Sequence, residues 1–231
     1  MRVIGLIGGM SWESTIPYYR HINQQVRERL GGHHSARLVL YSVDFAPIER
    51  LMREDDWESA GQVLAQAARV LESAGAECIV LCTNTLHKVE ASIRHAVRIP
   101  FLHICDATAR ELVRNGHTVA GLLGTRFTME QDFYRDRFSE HGIRVLVPPE
   151  SDRALVHRVV FDELCMGALE DASRREYRRI MADLAQAGAQ AIILGCTEIS
   201  LLVGPQDATV PLYDTTAIHA RAATEWALDE R

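Results

Sequence analysis

The chain has 231 residues, 47% hydrophobic and 24% charged, which supplies a real core and excludes a disordered or fibrous protein. Its formal net charge of −6 excludes a nucleic-acid binder that works by displacing counterions with surplus Lys and Arg. No run reaches the roughly 20 apolar residues of a membrane span, and the glycine-broken start Met1–Gly8 lacks the form of a signal peptide, so a cytoplasmic protein with no membrane partner is expected.

In chain order, residues 3–7 read as a buried strand and residues 14–30 as a helix. Strands are expected at 38–43, 78–81 and 100–104, with helices at 57–74 and 86–96. The second half continues with strands at 118–123, 144–147, 191–194 and 210–213. Its helices are expected at about 129–141, 155–166, 174–187 and 216–228. Continuous apolar strands separated by helices imply mostly parallel sheets covered on both faces, an α/β fold.

The halves echo each other. Gly5-Leu6-Ile7-Gly8 returns as Gly121-Leu122-Leu123-Gly124. Ala74-Gly75-Ala76-Glu77, leading to Cys82-Thr83, returns as Ala187-Gly188-Ala189-Gln190, leading to Cys196-Thr197. Pro100-Phe101-Leu102 and Asp106-Ala107-Thr108 return as Pro211-Leu212-Tyr213 and Asp214-Thr215-Thr216. Three echoes in one order point to an internal duplication. Two such halves are expected to set the ends of their strands across a shared cleft.

Five cysteines (Cys78, Cys82, Cys105, Cys165, Cys196) lie in apolar stretches with no Cys-x-x-Cys pair, as reduced thiols do, so neither a disulfide framework nor a metal site is expected. Lys88 is the single lysine, so a pyridoxal-phosphate aldimine has nowhere else to form. Cys82 and Cys196 each end a strand and precede Thr, at the edge where parallel sheets bind ligands. Backbone N–H groups beyond each strand favour a thiolate. Paired thiols suit inversion of a stereocentre, one removing the α-proton and the other delivering a proton to the opposite face. Thr83, Asn84, Thr85 and Thr197 beside them supply groups for a substrate carboxylate and the developing carbanion. Cys78, Cys105 and Cys165 read as core residues.

Other features read as structural. Gly5-Leu6-Ile7-Gly8-Gly9 does not fit the Gly-x-Gly-x-x-Gly dinucleotide fingerprint. His33-His34 reads as a solvated loop and His87 as an exposed helix residue. Asp44, Asp106 and Asp214 read as caps, and the Arg-rich stretch 174–179 as a solvated helix face.

Gly8-Gly9-Met10-Ser11-Trp12-Glu13-Ser14-Thr15, Cys82-Thr83-Asn84-Thr85, Gly124-Thr125-Arg126, Gly195-Cys196-Thr197-Glu198-Ile199 and Asp214-Thr215-Thr216 together resemble the aspartate/glutamate racemase family over the whole chain. The resemblance implies two pseudo-symmetric α/β domains, each a four-stranded, mostly parallel sheet flanked by helices, with the active site in the cleft between them. It places residues 1–105 with 214–231 in the first domain and 106–213 in the second, the last helix crossing back. It implies a cofactor-independent amino-acid racemase that works as a homodimer. Cys82 and Cys196 then take the roles of paired acid and base. Met10, Ser11, Thr83, Asn84, Thr85, Thr125, Thr197 and Glu198 are expected to contact the substrate's α-amino and carboxylate groups or to set thiol protonation. Glu198 stands where glutamate racemases carry His, which favours the aspartate-racemase branch. For the distal pocket, Arg53 (or Arg50) is the available cation and Met52 the available apolar group, and Cys165-Met166 stands where some relatives place a lysine. These features lean towards a broad or neutral specificity, with aspartate, glutamate and homoserine as candidate substrates. The rival expectations are a sister isomerase or decarboxylase acting on a dicarboxylate, and a non-catalytic small-molecule binder.

Overall fold

The computed structural model describes residues 1–229. The chain divides into two compact units, Met1–Ile104 together with the chain from His219 onward, and Cys105–Ile218.

The first unit contains β1 (Ile4–Gly8), α1 (Trp12–Leu30), β2 (Leu38–Ser42), α2 (Phe45–Arg53), α3 (Trp57–Ser73), β3 (Cys78–Leu81), a 3₁₀ turn at Thr85–Val89, α4 (Glu90–Ala96) and β4 (Phe101–Leu102). Its four strands run parallel in the order β2-β1-β3-β4. β1 and β3 are buried at every residue, as strands covered on both faces must be. Hydroxyl and carboxylate caps start α1, α2 and α3. Ser11 Oγ accepts from Ser14 N at 3.4 Å, Asp44 from Ala46 N at 3.3 Å and Asp56 from Ser59 N at 3.0 Å. On α3 the buried Ala60, Leu64, Ala67, Ala68 and Leu71 recur at helical spacing and face inward. Lys88 lies with its ammonium 3.8 Å from the centre of the Trp57 ring.

The second unit follows with α5 (Ile104–Arg114), β5 (Val119–Gly124), α6 (Arg126–Glu130), α7 (Asp132–Ser139), β6 (Arg144–Leu146), α8 (Glu150–Asp162), a 3₁₀ turn at Leu164–Met166, α9 (Asp171–Gln186), β7 (Ala191–Gly195), α10 (Ile199–Leu202), a 3₁₀ turn at Pro205–Asp207, β8 (Leu212–Asp214) and α11 (Thr215–Leu228). Its sheet is again parallel, ordered β6-β5-β7-β8. Identical strand order in both sheets is the structural form of the sequence echoes. α11 continues from His219 into the first unit. There Ala220, Ala223 and Ala227 join Ile4, Leu6, Tyr18, Ile22, Cys78 and Val80 in one buried cluster. His219 Nδ1 accepts from Tyr18 Oη at 2.9 Å and its Nε2–H donates to Leu102 O at 2.8 Å, a pairing that fixes the tautomer.

Several expected boundaries move. The strand expected at 100–104 is only Phe101–Leu102, because the chain turns helical at Ile104. α2 and α5 are helices with no counterpart among the expected elements. The helix expected at 129–141 is two short helices, and that at 86–96 opens as a 3₁₀ turn. Asp44 and Asp214 cap helices as expected, Asp214 Oδ1 accepting from Thr216 N at 2.9 Å. Asp106 instead lies inside α5, where Arg137 grips both its oxygens at 2.7 Å. Among the described residues, no helix is long and apolar enough to cross a membrane.

Candidate active site

In each unit the two central strands end side by side, β1 with β3 and β5 with β7. Glycines let a threonine of the next helix close over these ends. A Cβ on Gly8 or Gly124 would meet Thr15 Cγ2 or Thr128 Oγ1, each within 2.4 Å. The helices that follow begin at matching hydroxyl caps, Ser11 in the first unit and Thr125 in the second.

Strand register defines which residues correspond. Ile4 of β1 pairs with Cys78, and its counterpart Ala120 of β5 pairs with Ala191. Counting onward, Leu81 matches Leu194, Cys82 matches Gly195, and Thr83 matches Cys196. Flanking hydrogen bonds repeat in the same register. Ile79 N donates to Pro100 O at 2.8 Å and Ile192 N to Pro211 O at 2.9 Å. Glu77 N donates to Val3 O at 2.8 Å and Gln190 N to Val119 O at 2.9 Å. The expected match of Cys82-Thr83 with Cys196-Thr197 is therefore one residue out of step.

That single residue changes the side chain's face, because successive strand residues point in opposite directions. Cys82 continues the Cys78 and Val80 face into the apolar cluster with Tyr18, Ile22, Ala220 and Ala223, and is fully buried. Burial alone pushes its thiol far above the ordinary range, the reverse of the expected activation. The residue that stands at the strand edge in register with Cys196 is Thr83, followed by Asn84 and Thr85, all three nearly buried.

At the other edge, Cys196 is partly exposed and its Sγ donates to Glu198 Oε2 at 3.0 Å. Thr197 Oγ1 donates to the same oxygen at 2.5 Å, and Cys165 Sγ approaches Glu198 Oε1 at 3.8 Å. Glu198 is 4% exposed. The Cys196 thiol is raised well above its ordinary value, first by burial and then by the charge and hydrogen bond of Glu198. This is a protonated thiol on a carboxylate. Its chemistry is proton donation, or proton abstraction once its own proton has moved. The expectation of a simple core role for Cys165 is corrected by its contact with Glu198.

The remaining expected residues divide. Met10 and Met52 are buried, Met52 on the inner face of α2. Arg53 turns outward with a 71% exposed side chain and pairs with Glu49 at 2.7 Å. His87, expected to be exposed, is 2% exposed. Its Nε2 accepts from Ile104 N at 3.3 Å, so Nδ1 carries the hydrogen and donates to Thr83 O at 2.7 Å. A neutral histidine thus fixes the backbone of the Thr83 edge. Its proton affinity is lowered by burial and by His103 and His219. The i, i+4 spacing of Thr83 and His87 is the only sequence signal for this contact. Among the described residues, no group of three or more His, Cys, Asp or Glu is arranged to hold a metal ion.

The family model for Asp/Glu/hydantoin racemases matches residues 7–223. A candidate Asp/Glu racemase from Yersinia pestis superposes with a TM-score of 0.94 at 56% identity, covering 99% of this chain and 100% of that one. An aspartate racemase homologue from Pyrococcus horikoshii OT3 gives 0.87 at 35% identity, over 99% and 100%. The broad specificity amino-acid racemase RacX of Bacillus subtilis is 22% identical over 95% of this chain and 96% of its own length. The fold of this chain, two four-stranded parallel sheets flanked by helices, is that of Asp/Glu racemase structures, and the chain belongs to the Asp/Glu/hydantoin racemase family, whose named members are isomerases.

Proposed function

We propose that this protein racemises an amino acid by moving the α-proton without a pyridoxal cofactor, with Cys196 as one acid–base group. The observation that carries the reading is the Cys196 thiol on the Glu198 carboxylate at 3.0 Å, at the carboxyl end of β7. A thiol exchanges protons with carbon acids near neutral pH better than a hydroxyl does. The hydroxyls of Thr125 and Thr197 and the backbone N–H groups beyond β5 and β7 suit a substrate carboxylate.

Inversion needs a second group on the opposite face of the α-carbon. The sequence expectation is Cys82. Strand register favours the Thr83–Asn84–Thr85 edge, because Cys82 is enclosed in the core. A broad or neutral substrate range fits a buried Met52 and an Arg53 already paired with Glu49. RacX, named for broad specificity, supports the same choice. We read the protein as cytoplasmic, since a free Cys196 thiol suits a reducing compartment, and as a homodimer, as the family resemblance implies.

One observation favours a second reading. A single thiol in register with a threonine is also what protonation after decarboxylation of a dicarboxylate requires, since that needs one proton donor. One experiment separates the two. The purified protein is incubated in D₂O with L- and D-aspartate, glutamate, homoserine, alanine, serine and methionine, and separately with substituted malonates. α-Proton exchange with formation of the opposite enantiomer, abolished in Cys196→Ser, is expected. Release of carbon dioxide with no exchange on any amino acid would transfer the protein to the second reading.

A further inference from the structure

The five-residue α6 opens at its cap Thr125, just beyond the end of β5. So short a helix has too few internal hydrogen bonds to hold itself, and its place is set by what it docks on. Thr125 Oγ1 accepts from Thr128 N at 3.4 Å, and Thr128 Oγ1 donates to Thr125 O at 2.9 Å. The first N–H of a helix has no partner inside the helix. Here that donor, Arg126 N, is taken by Nδ1 of His157 on α8 at 3.2 Å. At the far end Glu130 accepts from Arg126 Nε at 3.2 Å and from Arg153 Nε of α8 at 3.0 Å. The His157 ring lies between Phe127 and Phe161, with centroids 6.3 Å and 4.8 Å away. α6 is thus docked on α8 at two points, and one of them is a histidine nitrogen.

Only a neutral ring can make this contact. With Nδ1 accepting, Nε2 carries the ring hydrogen, and protonation would turn Nδ1 into a second donor facing the Arg126 N–H. His157 is half-buried, and its proton affinity is lowered first by burial and then by Arg126, with Glu130 and Asp162 opposing. On α8 itself Arg153 is held by Glu130, and Arg158 lies 3.9 Å from Glu163. Of the other elements against α8, β5 carries no ionisable residue and the 3₁₀ turn at Leu164–Met166 carries Cys165 alone. From α9, Tyr177 donates to Val156 O at 3.1 Å and Arg179 is bound to Asp152 at 2.7 Å.

We infer that His157 is a positioning residue for the reaction: neutral, it holds the Thr125–Arg126 turn where Thr125 grips the substrate carboxylate, and protonated, it releases that turn. The inference rests on the racemase reading above, which gives Thr125 its grip. The Glu130–Arg153 contact does not depend on the histidine proton, so the far end of α6 stays docked while its start is freed. A displaced grip weakens substrate and transition state alike, which raises KM and leaves kcat unchanged.

The test separates binding from chemistry. KM and kcat for α-proton exchange are measured from pH 8 to 5.5 in the wild-type protein, His157→Asn and His157→Leu. Asn keeps a neutral acceptor near the Nδ1 position at every pH, and Leu removes it. The wild-type KM is expected to be flat above about pH 6.5, the ordinary histidine value, and to rise roughly fivefold below it, the worth of one neutral hydrogen bond. His157→Leu is expected to show the raised KM throughout and His157→Asn the low KM throughout, with kcat alike in all three at each pH. Acid unfolding lowers the active fraction and hence kcat, so it does not imitate this pattern. A wild-type KM in His157→Leu at pH 8 would overturn the inference, as would an acid-side rise retained in His157→Asn. A second readout needs no substrate: the ¹⁵N shifts of the His157 ring and the protection of the Arg126 amide should change together with pH in the wild type. Protection that ignores the state of the ring would also overturn the inference. If the wild type exchanges no amino acid, the racemase reading fails, while these two signals still decide whether His157 holds the turn.

Discussion

Cys82 and Cys196 look alike in the sequence, each following an apolar strand and preceding Thr, and they separate only in three dimensions. Cys196→Ser is expected to lower α-proton exchange by roughly 10²–10⁴-fold, the usual contribution of a positioned acid–base group, with little change in thermal melting. Cys82→Ala is expected to do the reverse, costing about 1 kcal/mol of stability through the small cavity it leaves, read as a lower urea midpoint, with exchange largely retained. Loss of exchange in a stably folded Cys82→Ala would return Cys82 to the reaction. His87 contributes a pH dependence. Its folded-state proton affinity is depressed by burial and by His103 and His219, so the unfolded chain takes up a proton first as pH falls. Stability is full above about pH 6.5, the ordinary histidine value, and declines below it. Melting temperature measured from pH 8 to 5 should fall in the lower half of that range, and less steeply in His87→Asn.

At the scale of elements, the strands and long helices were legible because continuous apolar runs and helical spacing leave few alternatives. α2 was not. It is nine residues long and carries Pro47 in its first turn, where a missing N–H costs nothing, yet proline reads as a breaker in sequence. α5 hides behind Asp106-Ala107-Thr108, a triplet that suggests a capping turn until Arg137 and His141 are seen to hold Asp106 from elsewhere. The one-residue slip at the site has a specific source. The Ala-Gly-Ala echoes preceding β3 and β7 keep one spacing, and the Cys-Thr echo departs from it by one residue. Identical letters outweigh register in a sequence, whereas paired strands obey register alone. The close approach at Gly8 was equally invisible: a glycine after a strand reads as a turn, not as room for Thr15. Gly8→Ala is expected to cost about 1–3 kcal/mol by overpacking and to weaken the Thr15 Oγ1 bond to Gly9 N, which is 2.9 Å long. Chemical denaturation measures the first effect, and amide exchange at Gly9 the second.

For the molecule as a whole, the first unit is completed by the last stretch of the chain. Ala220, Ala223 and Ala227 of α11 lie against β1, β3 and α1, and His219 ties Tyr18 to Leu102. Residues nearly a chain length apart therefore fold as one core. Ala223→Leu, which adds bulk where there is no space, should lower stability by about 1–3 kcal/mol. Since β1 and β3 carry the Thr83 edge, exchange should fall in step with the folded fraction and not before it. A variant as stable as wild type would mean that this helix packs more loosely than its buried alanines indicate.

Lys88 has a practical consequence. It is the one lysine in 231 residues, partly covered, stacked on Trp57 and 4.0 Å from Asp55. Partial burial lowers its ammonium below the usual lysine value, with Asp55 opposing the shift. Amine chemistry on this protein thus has two addresses, the terminal amino group and one side chain against an indole. A fluorophore on Lys88 would be the one side-chain amine label, and quenching by Trp57 would make its brightness report whether α3 and the turn after β3 remain in contact. Trypsin, meanwhile, would cut the chain almost entirely at arginine, which keeps the Lys88 peptide easy to identify after labelling.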